Sequence, residues 1–230
     1  AVRWRRGGRG GGMRAAPHDQ AAADARPALA RPWVAWVWGT QRHAGATTVA
    51  VALARWLAWW QRTPVVLLDG HPEHPGLKAV LRGDLPWPGM GWEGTWQAGV
   101  PWTPPPQVVD LGPGLRAWAL GRPLRLPGLD RWWPDVLRHL AAEALVVVDG
   151  GLRPPPVAVA LPICVVGGLG ARPVAPQGTW FARRRGDGLP RCLVVPSEPL
   201  GADGVGSAAW LACWDPLAEA LGAQASAQGS

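Results

Sequence analysis

The sequence predicts an α/β domain with a three-layer, doubly wound fold on a mostly parallel sheet. The first observation is three short, continuous apolar runs, at residues 33–38, 65–69 and 144–149. Runs of this kind are typical of strands that are buried on both faces. The second observation is a stretch with helical spacing between the first two runs, from Val49 to about Gln61. Strand, loop, helix and strand in this order predict a βαβ unit, which implies a parallel pair of strands with a right-handed crossover.

The chain divides into one predicted domain and two tails. With 230 residues it is long enough for a single α/β domain with a sizeable core. Residues 1–30 are rich in Gly, Arg and Ala and predict a disordered basic tail; we place the domain at 31–223 and a flexible tail at 224–230. The net charge is +7, and most of it comes from arginines of the first tail. A signal for nucleic acid or an anionic membrane is therefore confined to that tail.

Weaker patterns predict the remaining elements. We expect strands at 115–120, 163–166 and 192–195, helices at 134–142 and 217–221, and irregular structure at 82–113. The three cysteines are widely spaced and two interrupt apolar runs, which favours buried thiols in a reducing cytoplasm. We expect Trp56, Trp59 and Trp60 to pack in the core, and Arg183 to lie in a solvated basic loop.

The loop after the first strand has part of a phosphate-binding pattern. Such a loop aims backbone N–H groups at phosphates from the positive end of a helix, a lysine adds charge, and the next Ser or Thr binds Mg²⁺. Gly45 and Thr47 match this pattern, whereas Thr40 replaces its first glycine and Ala46 its lysine. Asp69 and Asp149 end two apolar runs, so both are expected at the sheet edge where open α/β sheets bind ligands.

The run 39–54 resembles the deviant Walker A motif of MinD/ParA-type P-loop ATPases. Its match is best to the branch with alanine at the lysine position, which is typical of CpaE/TadZ-like pilus-localisation proteins. Residues that match that branch are Gly39, Gly45, Ala46, Thr47 and Thr48, while Arg42 and His43 replace two of its glycines. Gln41 stands at the position of the family's signature lysine. The segments 68–77 and 147–149 resemble the family's second-strand and Walker B motifs.

The resemblance implies ATP and Mg²⁺ as ligands and assigns roles residue by residue. The implied nucleotide-binding residues are Gly39, Thr40, Gln41, Arg42, Ala44, Gly45, Ala46, Thr47 and Thr48. Thr47 and Asp149 would hold the metal, and Asp69 would orient the attacking water or respond to the nucleotide state. The implied protein is a cytoplasmic homodimer that acts in pilus, secretion or division machinery, either free or at the membrane through a protein partner.

The missing lysines modify this expectation. A hydrogen bond to a charged group contributes roughly 1.5–3 kcal/mol, so their absence predicts weak or absent ATP hydrolysis. The leading hypothesis is a positioning or regulatory protein whose dimer is nucleotide-dependent or vestigial. One alternative is an active Mg-ATPase of the same fold. The other is a non-catalytic binding module that presents the Trp/Pro-rich segment 86–106 to a partner.

Overall fold

A central sheet and the helices that cover it account for most of the described chain. The computed structural model describes residues 29, 31–61, 63–71, 76–81, 109–119, 131–167, 175–183, 191–197 and 208–228. The strands are β1 (Val34–Gly39), β2 (Val65–Asp69), β3 (Val109–Asp110), β4 (Leu115–Trp118), β5 (Leu145–Asp149), β6 (Leu161–Val165), β7 (Trp180–Arg183) and β8 (Cys192–Val194). The helices are α1 (Ala46–Trp60), α2 (Leu77–Val80), α3 (Trp133–Glu143), α4 (Ala208–Ala212) and α5 (Asp215–Gln228).

The strand order places the three predicted apolar runs side by side. The eight-stranded sheet has the order β3-β4-β2-β5-β1-β6-β7-β8. All neighbouring pairs are parallel except β3 and β4. A mostly parallel α/β fold is therefore confirmed. Because parallel neighbours end at the same edge, the carboxyl ends of β1, β2 and β5 meet there.

Both faces of the sheet are covered, and β1 contributes to each. Ala35 and Val37 face the side that holds α1, α4 and α5, while Trp36 and Trp38 face the side that holds α3. This alternation follows from the two-residue repeat of a strand. Neither face of the central strands is open to water, so both alternating sets of side chains are apolar. This is why these strands appear in the sequence as continuous apolar runs.

Tryptophan rings join α1 to the C-terminal helices. Trp56 stacks on Trp60 with ring centroids 4.8 Å apart, and on Trp214 at 5.9 Å. Trp59, the third tryptophan expected in the core, is instead 55% exposed, because it lies on the outer face of the helix. Cys164 and Cys213 are buried and free, and burial raises the pKa of their thiols to about 11 and about 12 respectively.

Several elements differ from the sequence-based predictions. Strand β3 lies within the segment expected to be irregular, and neither β7 nor α4 was predicted. Arg183 is buried at the end of β7, so its expected place in a solvated loop was wrong. The last helix extends through Gln228, well beyond the predicted 217–221. The predicted tail up to residue 28 and the segment 86–106 lie outside the described residues.

No helix within the described ranges is long and apolar enough to cross a membrane.

Candidate functional site

A loop and two strand ends form the candidate site at the carboxyl edge of the sheet. The β1–α1 loop, residues 40–45, joins the end of β1 to the start of α1. Asp69 ends β2 and Asp149 ends β5, and these two residues are register partners. The structure thus brings together the predicted loop residues and both predicted aspartates.

The first half of the β1–α1 loop is attached to its neighbours by backbone hydrogen bonds. The N–H of Gly39 donates to Gly151 O at 2.7 Å, and that of Thr40 donates to Val165 O at 3.0 Å. The hydroxyl of Thr40 accepts a hydrogen bond from Gly167 N at 3.1 Å. The loop is therefore held to the end of β6 and to the turn after β5.

The second half of the loop leads directly into the helix. Gly45 is the N-cap of α1 with a φ of 98°, and it supplies no side-chain cap. The first N–H groups of any α-helix lack partners within the helix, and they carry the positive end of its dipole. A 15-residue helix that begins here without a side-chain cap can accept an anion at its N-terminus.

The loop side chains at positions where the sequence resemblance would have lysine or glycine are mostly exposed. Gln41, Arg42 and His43 are exposed, and Ala44 is half-buried. The Gln41 side chain lies against Gly167, where a Cβ would come within 2.7 Å of its Nε2. The Gln41 side chain therefore packs against a residue that follows β6 in the same chain. Ala46 is buried at the first position of α1 and carries no charge.

Thr47 and Asp149 converge beside a glycine. A Cβ placed on Gly76 would lie 2.7 Å from Thr47 Oγ1 and 3.5 Å from Asp149 Oδ2. Asp149 Oδ1 accepts a hydrogen bond from Gly151 N at 3.2 Å. Oδ2 makes no hydrogen bond of ordinary geometry with the described residues, although the Thr47 hydroxyl is close enough to the carboxyl group to lower its pKa. An unpartnered oxygen on a completely buried carboxyl group is unusual, and it calls for a ligand such as an ion or water.

Asp69 organises the backbone around the site. Its Oδ1 accepts a hydrogen bond from His71 N at 3.2 Å, and its Oδ2 accepts one from Leu77 N at 3.3 Å. These bonds attach the end of β2 to the start of the short helix α2. The carboxyl group thus has a structural use in addition to the catalytic role that the sequence suggested.

The two aspartates have raised pKa values. Burial raises the pKa of Asp69 most and the charge of Asp149 raises it further, while the backbone N–H groups of His71, Leu77 and Gly76 lower it. Burial also raises the pKa of Asp149, against the opposing effects of the Thr47 hydroxyl, the Gly151 N–H and the charge of His71. Two adjacent buried carboxyl groups are unfavourable when both are ionised, so the pair favours a bound proton or cation.

The donor set suits a hard cation. Carboxylate and hydroxyl oxygens are the ligands preferred by Mg²⁺, which binds through one or two carboxylates together with substrate phosphates. No group of three or more His, Cys, Asp or Glu that could hold a metal occurs among the residues described.

Sequence reasoning did not anticipate part of the site. Gly150 and Gly151 directly follow Asp149, and a Cβ on either would overlap an aromatic ring, of Trp36 and His71 respectively. The Gly-Gly pair after an apolar run was the available signal. Its partners could not be inferred, because Trp36 lies on β1 and His71 follows β2, both far from this pair along the chain.

Comparison of the chain with protein-family models, with curated proteins and with solved structures finds no match. The function therefore has to be inferred from the site itself.

Proposed function

We propose that this chain is a P-loop protein of the MinD/ParA type, nearest to the CpaE/TadZ-like branch, that binds Mg·ATP and hydrolyses it weakly or not at all. One observation carries the proposal. The Thr47 hydroxyl and the unpartnered Oδ2 of Asp149 converge at the N-terminus of α1, beside a glycine that leaves room for both. A phosphate-bound cation needs this combination of oxygen donors and helix N–H groups.

Phosphate binding is assigned to the backbone. The N–H groups of Gly45, Ala46, Thr47 and Thr48 lie at the start of α1, where helix geometry leaves them without intrahelical partners. The hydrogen bonds of Gly39, at the end of β1, and of Thr40, the first loop residue, keep the rest of the loop in place. These groups bind and orient a polyphosphate without any side-chain charge.

Thr47 and Asp149 are the residues that would hold Mg²⁺. When bound, the ion neutralises charge on the phosphate oxygens. Asp149 contributes a carboxylate whose Oδ2 makes no hydrogen bond of ordinary geometry with the described residues. Asp69, next to it in register, orders the backbone of β2 and α2.

Ala46 explains why hydrolysis is weak. It occupies the position where the family has a lysine, and a methyl group cannot stabilise charge that develops on a transferred phosphoryl group. Binding through the backbone survives this loss better than catalysis does. We therefore infer a positioning or regulatory role in which nucleotide occupancy is the signal, with a second copy of the chain and a component of pilus, secretion or division machinery as partners in the cytoplasm.

A thermal-shift titration tests the proposal. At about 100 times Kd, a ligand that binds only the folded state should raise the Tm of a domain of this size by about 5–10 °C. We expect such a shift with Mg·ATP, a smaller shift with ATP and EDTA, and loss of the difference in Thr47→Ala. Thr179→Ala is the matched control. Thr179 is also buried, but it directly precedes β7 and so lies at the amino edge of the sheet, away from the site at the carboxyl edge.

Other results would replace the proposal. Unchanged Tm values with every nucleotide would favour the non-catalytic binding module. Steady Mg·ATP turnover that disappears in Asp69→Ala would favour the active Mg-ATPase.

A further inference from the structure

The turn after β5, residues 150–153, lies between two aromatic side chains. The indole of Trp36 lies where a Cβ of Gly150 would be, and its Nε1 donates a hydrogen bond to Arg153 O at 2.8 Å. The imidazole of His71 lies where a Cβ of Gly151 would be. Gly151 also has a φ of 62°, which disfavours any other residue there. Each glycine thus allows one ring to contact the backbone of the turn.

The same turn is bonded to the candidate site. Gly151 N donates to Asp149 Oδ1, and Gly151 O accepts from Gly39 N at the start of the β1–α1 loop. The N–H of Gly150 donates to Val37 O at 2.7 Å. A displacement of the turn would therefore move both the Asp149 carboxyl group and the loop.

We propose that His71 and Trp36 are positioning residues for the cation site, because they clamp the 150–153 turn between β1 and the end of β2. With Oδ1 of Asp149 held by the turn, Oδ2 is the oxygen directed toward Thr47. Without the clamp, the carboxyl group is free to rotate and the site loses its fixed donor. The identity of the ligand, Mg²⁺ with a phosphate, rests on the function proposed above. The clamp does not depend on it, because the contacts of the two rings with the turn exist in the ligand-free protein.

His71 connects the two aspartates. Its backbone N–H donates to Asp69, and its ring contacts the residue whose N–H donates to Asp149. Trp36 acts from the other side and is itself supported by Trp133 of α3, with ring centroids 4.9 Å apart in an edge-to-face arrangement. The clamp therefore extends from the site to the helix layer on one face of the sheet.

The test compares His71→Ala, His71→Phe and Trp36→Phe by amide hydrogen exchange and by titration with MgCl₂ alone. In the ligand-free protein, we expect the amides of Gly39 and Gly151 to exchange about tenfold faster in His71→Ala. His71→Phe, which keeps a ring, should stay within about threefold of wild type. Trp36→Phe keeps an aromatic ring but lacks the indole N–H, so it should speed up exchange of the same amides.

Leu140→Ala is the control, since it removes core packing from α3 without touching the turn. Faster exchange at Gly39 and Gly151 in Leu140→Ala, equal to that in His71→Ala, would overturn the clamp, as would unchanged exchange in His71→Ala. In the MgCl₂ titration, we expect Kd to rise at least severalfold in His71→Ala and to stay near wild type in Leu140→Ala. Equal Kd values in wild type and His71→Ala would overturn the positioning role.

The two proposals fail separately. If wild-type protein does not respond to MgCl₂ or to Mg·ATP, the cation site and the positioning role are both wrong. In that case the exchange data still decide whether the clamp exists.

Discussion

Asp69 and Asp149 are register partners on neighbouring parallel strands, and both are completely buried. Adjacent strands lie about 4.8 Å apart, so the two carboxyl groups share one small region at the carboxyl edge of the sheet. Each uses part of its hydrogen-bonding capacity on nearby backbone N–H groups. What remains is a site that is stable with a proton or a cation and strained without either.

The free energy of unfolding should therefore depend on pH through this pair. Both carboxyl groups have a pKa that is raised in the folded protein, chiefly by burial. A raised folded-state pKa stabilises the fold at pH values below the ordinary aspartate pKa of about 3.9, and this contribution is lost as pH rises through the raised values. With EDTA present, we expect Asp69→Asn to gain stability relative to wild type as the pH increases. Urea denaturation at several pH values measures this.

Asp135→Asn serves as the control for the pH experiment, because Asp135 is exposed on α3. Addition of Mg²⁺ should reduce the difference between wild type and Asp69→Asn at high pH, since the cation replaces the proton. A difference that does not change with pH would show that the pair is not coupled to stability.

A lysine introduced at position 46 should strengthen the proposed nucleotide binding. Ala46 begins α1, beside the proposed phosphate position, and a lysine there would add one charged hydrogen bond. We expect Ala46→Lys to lower the Kd for Mg·ATP by about 10- to 100-fold in isothermal titration calorimetry. Trp59→Lys adds the same charge near the far end of the same helix, on an exposed residue. Equal gains in both variants would mean that net charge, and not position, controls binding.

His43 is held in a conformation that favours glycine. Its φ is 60°, and the left-handed region destabilises a residue with a side chain by about 1–2 kcal/mol. Because glycine also loses more entropy on folding, we expect His43→Gly to raise the free energy of unfolding by about 0.5–1 kcal/mol. Arg42→Gly is the matched control, since Arg42 directly precedes His43 in the loop and has no positive φ. Urea denaturation that shows equal effects of the two substitutions would contradict this explanation.

The tryptophan contact between α1 and the C-terminal region should be a major source of stability. Trp214 is almost completely buried and stacks on Trp56. Replacement of a buried tryptophan by alanine destabilises a protein by about 3–5 kcal/mol. We expect this loss for Trp214→Ala in chemical denaturation, and a change within about 0.5 kcal/mol for the exposed Trp59→Ala. Similar losses in both variants would rule out the stack as the cause.

The central strands could be predicted because their apolar runs are continuous. Strands β1, β2 and β5 are buried on both faces, and this leaves a pattern that depends on no other part of the chain. Strand β7 carries the sequence Trp-Phe-Ala-Arg, which has no such pattern, and β3 has only two residues. Both of these strands are stabilised by pairing with a neighbouring strand and not by a pattern of their own. Pairing likewise buries Arg183, which the local sequence placed in solvent.

The candidate site was predictable in its parts and not in its arrangement. Thr47, Asp69 and Asp149 were identified from their places at the ends of apolar runs and after a glycine. Their convergence depends on strand order, which joins β5 to both β1 and β2. His71 and Gly151 are in contact although they lie 80 positions apart in the sequence. No local sequence pattern predicts such a contact.

The amino-acid sequence was enough to predict the three central buried strands, a helix between the first two of them, and the acids that stand at strand ends. The start of that helix was predicted near Val49, whereas the helix begins at Ala46. These properties are local, since they follow from apolar periodicity and from the chemistry of neighbouring residues. Three further features became apparent in the folded chain. The two aspartates are register partners, Oδ2 of Asp149 makes no hydrogen bond of ordinary geometry with the described residues, and two rings contact the turn beside it. The physical reason is that neighbours in a parallel sheet are brought together by long crossovers, so their side chains meet only after the whole sheet has assembled.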